Sequence, residues 1–174
     1  MSIHLRFAMD MLAFAGCFDI FTPEERKILE KYREDNFAQK RLVPSERRAI
    51  RKCPLTPEEV GLLLRAMGFD NGTRIYLAAG ELFGGERFMK PFRELFPRLE
   101  NHSSVDASEE LTENVRGLIG SAVDYMVGLL SDIFMPTSDG PSNFANNLLG
   151  HRLYYGFRTT IRPDRKCLAP IFLD

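Results

Sequence analysis

Two short apolar runs constrain the fold more than any other feature. Thr73-Arg74-Ile75-Tyr76-Leu77-Ala78-Ala79 is nearly continuously apolar over the length of a strand, which suits a parallel strand buried on both faces. Ile133-Phe134-Met135 is a second such run. Pro136 ends it, because proline cannot donate to a sheet ladder. Strands of this kind need helices above and below them, so the intervening segments are expected to be helical.

Those segments fit. Ile3-His4-Leu5-Arg6-Phe7 reads as a first strand with a polar end, and Met9 to Phe18 is apolar and small, with Gly16 as a break. Thr22-Pro23-Glu24-Glu25 and Thr56-Pro57-Glu58-Glu59 each open a helix with a capping box: threonine at N-cap, proline at N1, glutamate at N3. The first is predicted to run to about Asn36 and to be largely solvated. The second places Val60, Leu63, Leu64 and Met67 on one apolar face, and Gly68 suits an αL cap. Gly80 to Gly85 is a flexible loop. Phe88, Phe92, Leu95 and Phe96 then line one face of a helix closed by Pro97, a stripe that reads as core. Ser103-Ser104-Val105 is expected to be a short strand, and Asp106 to Asn114 a loop or short helix. Gly117 to Leu130 is a long apolar helix, with Ile119, Ala122, Val123, Met126 and Leu130 at helical spacing. Thr159-Thr160-Ile161 is a last strand, and a short helix is expected from Pro163 onward. This alternation implies an α/β, Rossmann-like, mostly parallel sheet with helices on both faces.

The 174 residues suit one domain, and an apolar fraction of 44% with 27% charged residues is ordinary for a globular protein. A net charge of -1 gives no general case for nucleic acid or an anionic membrane. No run has the apolar length to span a bilayer, so no membrane contact is expected of this segment. The chain contains no GxGxxG after a strand, no Walker A loop, no GxSxG and no HExxH. Cys17, Cys53 and Cys167 lack metal-ligand spacing. They read as buried or free thiols, or as a single disulfide, Cys17 with Cys53, in a secretory lumen.

The candidate site lies in Ser131 to Phe157. After the Ile133 run comes a tight polar loop, Thr137-Ser138-Asp139-Gly140-Pro141. Ser142 then stands at an N-cap, with Asn143-Phe144-Ala145 winding on as helix. Strand, polar loop and helix N-terminus together point backbone N–H groups and a positive dipole end at an anion. Many α/β loops share this composition and bind nothing. Arg6, near the end of the first strand, has the planar fork that matches phosphate oxygens, or is a surface arginine in an ion pair. His4 shares a strand face with Arg6 and is either a neighbour of the ligand or a buried, satisfied histidine. Asp124 serves a ligand or is an acid satisfied at the core edge. Lys40 to Lys52 carries six Lys or Arg against Glu46 and meets an acidic partner or forms a solvated face.

Five segments, in order, resemble the plant O-fucosyltransferase-like proteins, which group with the GDP-fucose protein O-fucosyltransferases. They are HLRFAMDMLAFAGC at His4–Cys17, CPLTPEEVGLLLRAMGF at Cys53–Phe69, TRIYLAAGELFGG at Thr73–Gly85, SAVDYMVGLLSDIFMPTSDG at Ser121–Gly140 and GHRLYYGFRTTI at Gly150–Ile161. The resemblance implies the C-terminal half of a GT-B glycosyltransferase, a single nucleotide-sugar donor domain over residues 1–174. The N-terminal acceptor domain and membrane anchor are expected to lie outside this chain, leaving it without activity alone.

By that resemblance Arg6 is the catalytic arginine that grips the diphosphate of GDP-fucose, metal-independently and with no cofactor. His4, Asp132, Thr137, Ser138, Asp139, Gly140, Ser142, Asn143 and Phe144 complete the donor site, and Asp124 and Glu81 lie in matching segments. Ser138 stands where the common form has tyrosine, and Pro141-Ser142 is an insertion relative to many relatives. The resemblance implies a protein or cell-wall glycan acceptor and a Golgi or secretory-pathway lumen. Two alternatives stand: a pectin rhamnosyltransferase using UDP-rhamnose, or a truncated, non-catalytic nucleotide-sugar-binding module.

Overall fold

The computed structural model describes residues 1–37, 47, 53–105, 113–137, 142–156, 158–164, 167, 168 and 171. Among them a five-stranded sheet runs in the order β3-β2-β1-β4-β5, every neighbouring pair parallel. The strands are β1 (Ser2–His4), β2 (Ile75–Ala78), β3 (Leu99–Glu100), β4 (Ile133–Pro136) and β5 (Thr159–Thr160). The helices are α1 (Met9–Ala15), α2 (Pro23–Phe37), α3 (Pro57–Ala66), α4 (Glu86–Leu95), α5 (His102–Val105), α6 (Glu113–Leu130) and α7 (Asn143–Tyr154). None of them is long and apolar enough to cross a membrane.

Strand alternation divides the core. Ile3, Ile75, Leu77 and Met135 turn to one face and join Leu12, Leu29, Val60, Leu64, Phe92 and Phe96 from α1 to α4. Both capping boxes form: Thr22 and Glu25 exchange bonds at the start of α2, as Thr56 and Glu59 do at α3. α2 buries only Leu29, as a solvated helix should. A disulfide joins Cys17, just after α1, to Cys53, just before α3.

The opposite face mixes buried apolar side chains, Phe134 and Leu148, with polar ones. Ser2 Oγ meets Ser131 Oγ at 2.7 Å, and the Tyr76 hydroxyl donates to Asp124 Oδ1 at 2.8 Å. His102 Nδ1 lies 3.2 Å from the same oxygen. Burial pushes the Asp124 carboxyl and the Tyr76 phenol up. Asp124 is therefore a buried acid with two side-chain partners.

Several expectations are corrected. β1 stops at His4, so Leu5 to Phe7 are not strand. Its neighbour β4 ends in Pro136, and the Thr137 side chain takes over where the ladder stops. Met67 is exposed, and Gly61 occupies the buried face of α3 because Leu95 and Phe92 of α4 press against it. Ser103 to Val105 form a helical turn, and the edge strand is Leu99–Glu100. α6 buries Gly120, Asp124 and Gly128, while Leu118, Met126 and Leu130 face water. A Cβ at Gly128 would stand 2.5 Å from Leu148 Cδ2, so a larger residue there would force the Leu148 side chain to shift. Residues 106–112, most of Lys40 to Lys52 and most of the expected terminal helix lie outside the described residues.

Arg152 of α7 is 1% exposed and closes this face. Its Nη1 donates to the carbonyls of Gly128 (2.8 Å), Leu129 (3.0 Å) and Ser131 (2.8 Å), and its Nη2 to Thr159 (3.0 Å). α6 has no basic residue in its own last turn, so this guanidinium supplies the positive charge that a helix C-terminus favours. Replacing Arg152 with Met leaves those buried carbonyls unpaired. We expect a loss of about 3 kcal/mol, read as a melting temperature lowered by roughly 6–12 °C. An unchanged melting curve would contradict this account of the α6 terminus.

Candidate functional site

The strand order places a reversal of winding between β1 and β4. From β1 the chain moves outward to β2 and β3, then returns to β4 and moves outward to β5. The segments leaving β1 and β4 therefore part to opposite sides. This is the topology at which open α/β sheets form a ligand-binding crevice, at the carboxyl edge between the two strands.

Thr137 stitches the two walls together. Its N–H donates to the His4 carbonyl at 3.0 Å, and its hydroxyl donates to the same carbonyl at 3.1 Å. The hydroxyl in turn accepts the Arg6 N–H at 3.1 Å. Thr137 is 2% exposed.

The α7 N-terminus enters from the β4 side. Ser142 caps it, its Oγ accepting the Ala145 N–H at 3.3 Å, while the Ser142 carbonyl accepts the Asn146 N–H. The N–H groups of Asn143 and Phe144 belong to the first turn, where no intrahelical acceptor exists. His4 reaches the same cap: its Nε2 is 3.3 Å from Ser142 Oγ and its Nδ1 is 3.0 Å from the Ala78 carbonyl. A carbonyl only accepts, so Nδ1 carries the hydrogen and Nε2 accepts from the Ser142 hydroxyl. Burial, with a smaller contribution from Arg6, holds the His4 pKa below its ordinary value, which favours this neutral form. The ring also stacks on Phe144 with centroids 4.7 Å apart.

Arg6 lies just beyond β1 on the other wall. Its Nη2 meets Asp10 Oδ2 at 2.5 Å, and Asp10 Oδ1 accepts the Met11 N–H at 2.8 Å. Asp10 thus anchors the guanidinium to the first turn of α1. Arginine has five N–H donors, so one carboxylate oxygen leaves donors for a second anion. A cavity of about 400 Å³ opens on this edge beside β2, lined by Met9 and the Glu81 to Gly85 loop.

His4, Arg6, Thr137, Ser142, Asn143 and Phe144 are therefore brought to one crevice. Asp132 is not. It precedes β4, at the opposite edge of the sheet, about 13 Å away along the strand, and pairs with Arg158 at 2.9 Å. Ser138, Asp139 and Gly140 lie outside the described residues. Asp10 escaped the sequence reading, although its place four residues after Arg6 is the spacing of a helical ion pair.

A family model described as GDP-fucose protein O-fucosyltransferase matches residues 1–155. The chain is 84% identical to O-fucosyltransferase 1 of Arabidopsis thaliana, over 99% of this chain and 33% of that protein. It is 44% identical to rhamnogalacturonan I rhamnosyltransferase 1 of the same plant, over 98% of this chain and 34% of the relative. The match to O-fucosyltransferase 29 of that plant is also 44%, over 99% and 31%. The chain thus spans about a third of the length of these relatives. No solved structure matches it.

The lowered His4 pKa fixes the sign of a pH effect. As pH falls through the ordinary histidine range, the unfolded chain takes up a proton that folded His4 resists, so this contribution favours unfolding. The stability advantage of wild type over His4→Gln should therefore shrink between about pH 7.5 and about pH 5.5 in urea titrations. A gap that stays constant or widens would contradict the neutral assignment.

Proposed function

Because the chain belongs to the GDP-fucose protein O-fucosyltransferase family, we propose that it is the donor-holding part of a glycosyltransferase of GT-B type. The crevice between β1 and β4 takes the donor's diphosphate. The observation that carries this is the convergence of Arg6 and the α7 N-terminus on one topological switch point.

The chemistry follows from charge. Breaking a sugar–phosphate bond leaves a nucleoside diphosphate with a developing negative charge. Arg6 supplies N–H donors in a fixed fork, and the N–H groups of Asn143 and Phe144 add the positive end of a helix dipole. Donors fixed before the bond breaks stabilise the leaving group without reorganising, and no metal enters this reading. The fucosyl group passes to a protein or glycan hydroxyl, whose cleft and base we assign to the remainder of a longer parent.

The cavity beside Glu81 is proposed for the nucleoside. Guanine presents N1–H and N2–H side by side, which a carboxylate accepts as a pair, whereas uracil offers one N3–H between two carbonyls. This favours GDP-fucose, and the relative named a rhamnosyltransferase keeps UDP-rhamnose as the second reading. The Cys17–Cys53 disulfide supports an oxidising compartment, the Golgi or secretory lumen.

Calorimetric titration with GDP, GDP-fucose, UDP and UDP-rhamnose tests the proposal. Guanine nucleotides should bind selectively, and Arg6→Ala should weaken them by roughly 30- to 1,000-fold, about 2–4 kcal/mol. Uridine-selective binding would favour rhamnosyl transfer. Absence of binding to all four would overturn the donor-domain reading and leave a non-catalytic module.

A further inference from the structure

We propose that His4 is a positioning residue for this crevice and not a ligand to the donor: it holds Ser142, and through it the N-terminus of α7, against the ends of β1 and β2. The proposal rests on the donor reading and sets a role that the resemblance left to direct contact.

The argument is saturation. A neutral imidazole has one donor and one acceptor. The donor is spent on the Ala78 carbonyl at 3.0 Å and the acceptor on the Ser142 hydroxyl at 3.3 Å. Neither nitrogen remains to touch a phosphate, to hold a base, or to accept a proton from an incoming hydroxyl. One ring face is stacked on Phe144.

The direction of the chain matters as much as its closure. Because Ala78 contributes a carbonyl, Nδ1 must donate, Nε2 must accept, and Ser142 must give its proton to His4. The Ser142 lone pairs are then free for the Ala145 N–H, the bond that caps α7. One unidirectional relay of hydrogen bonds thus runs from Ala145 through Ser142 and His4 to Ala78, tying α7, β1 and β2 together. It fixes the first turn of α7, whose Asn143 and Phe144 amides the donor reading assigns to the diphosphate. Thr137 plays a parallel part, since its proton is spent on the His4 carbonyl.

A double-mutant cycle tests this on the full 174-residue chain, with GDP affinity and amide exchange at Ala145 as two readouts. His4→Asn and Ser142→Ala should each weaken GDP by about 3- to 10-fold, the worth of one cap, and each should speed Ala145 exchange. The double variant should lose no more than the worse single variant, because both break one relay. Ser142→Thr keeps the hydroxyl and should retain the Ala145 protection that Ser142→Ala loses. Additive losses of affinity would overturn the proposal. So would a His4→Asn loss with Ala145 protection intact, which is the signature of a direct contact. If the wild type binds no nucleotide, the donor reading falls alone, because coupling in Ala145 exchange still reports whether His4 acts through Ser142.

Discussion

The sheet is registered on β1. Three residues, Ser2 to His4, sit between β2 and β4 and pair with both. Ser2 and Ile3 are fully buried. A strand so short contributes few ladder bonds, so its position is fixed by what its side chains meet. Ile3 enters the apolar layer under α1 to α4, where burial supplies most of the driving force. Ser2 and His4 enter the layer under α6 and α7, where each side chain has a hydroxyl partner. One face of the strand supplies energy and the other supplies direction. The crevice exists because the directional face ends at His4.

Legibility followed the range of the interaction. The capping boxes at Thr22 and Thr56, the Ser142 cap and the Phe92–Phe96 stripe are local patterns, and all formed. The alternation of apolar runs with amphipathic segments was enough for a parallel sheet. What could not be read depended on distances between elements. Met67 matches the period of α3, yet the buried face was set by how closely α4 approaches Gly61. In α6 only part of the readable stripe, Ala122, Met126 and Leu130, turned outward, while Gly120, Asp124 and Gly128 hold the buried face. Asp132 sits next to a strand that reaches the crevice, but at its other end, which a linear motif does not distinguish.

Helices on both faces of the sheet are completed in the same way. Neither α1 nor α6 carries a basic residue in its last turn. Each uses arginines from elsewhere in the chain. Arg33 donates to the carbonyls of Ala13 and Phe14, and Arg47 to that of Ala15. Arg152 and Arg158 do the same at the end of α6, with Arg158 at a positive φ of 38°. A helix finished this way is stable only once its partner has docked. The termini of α1 and α6 are thus tertiary features, and local propensity alone understates their order.

The Cys17–Cys53 bond has a consequence for biosynthesis. Both cysteines leave the ribosome before β2, which begins at Ile75, and well before β4. Cys17 is 2% exposed once folded, so its thiol is easiest to oxidise while the sheet is still incomplete. The crosslink can therefore close around α2 during vectorial synthesis. It would preset the approach of α3 to α1 before the central strand acquires either neighbour. In that order of events, the covalent staple is a template for the apolar layer before β4 and Thr137 reach β1.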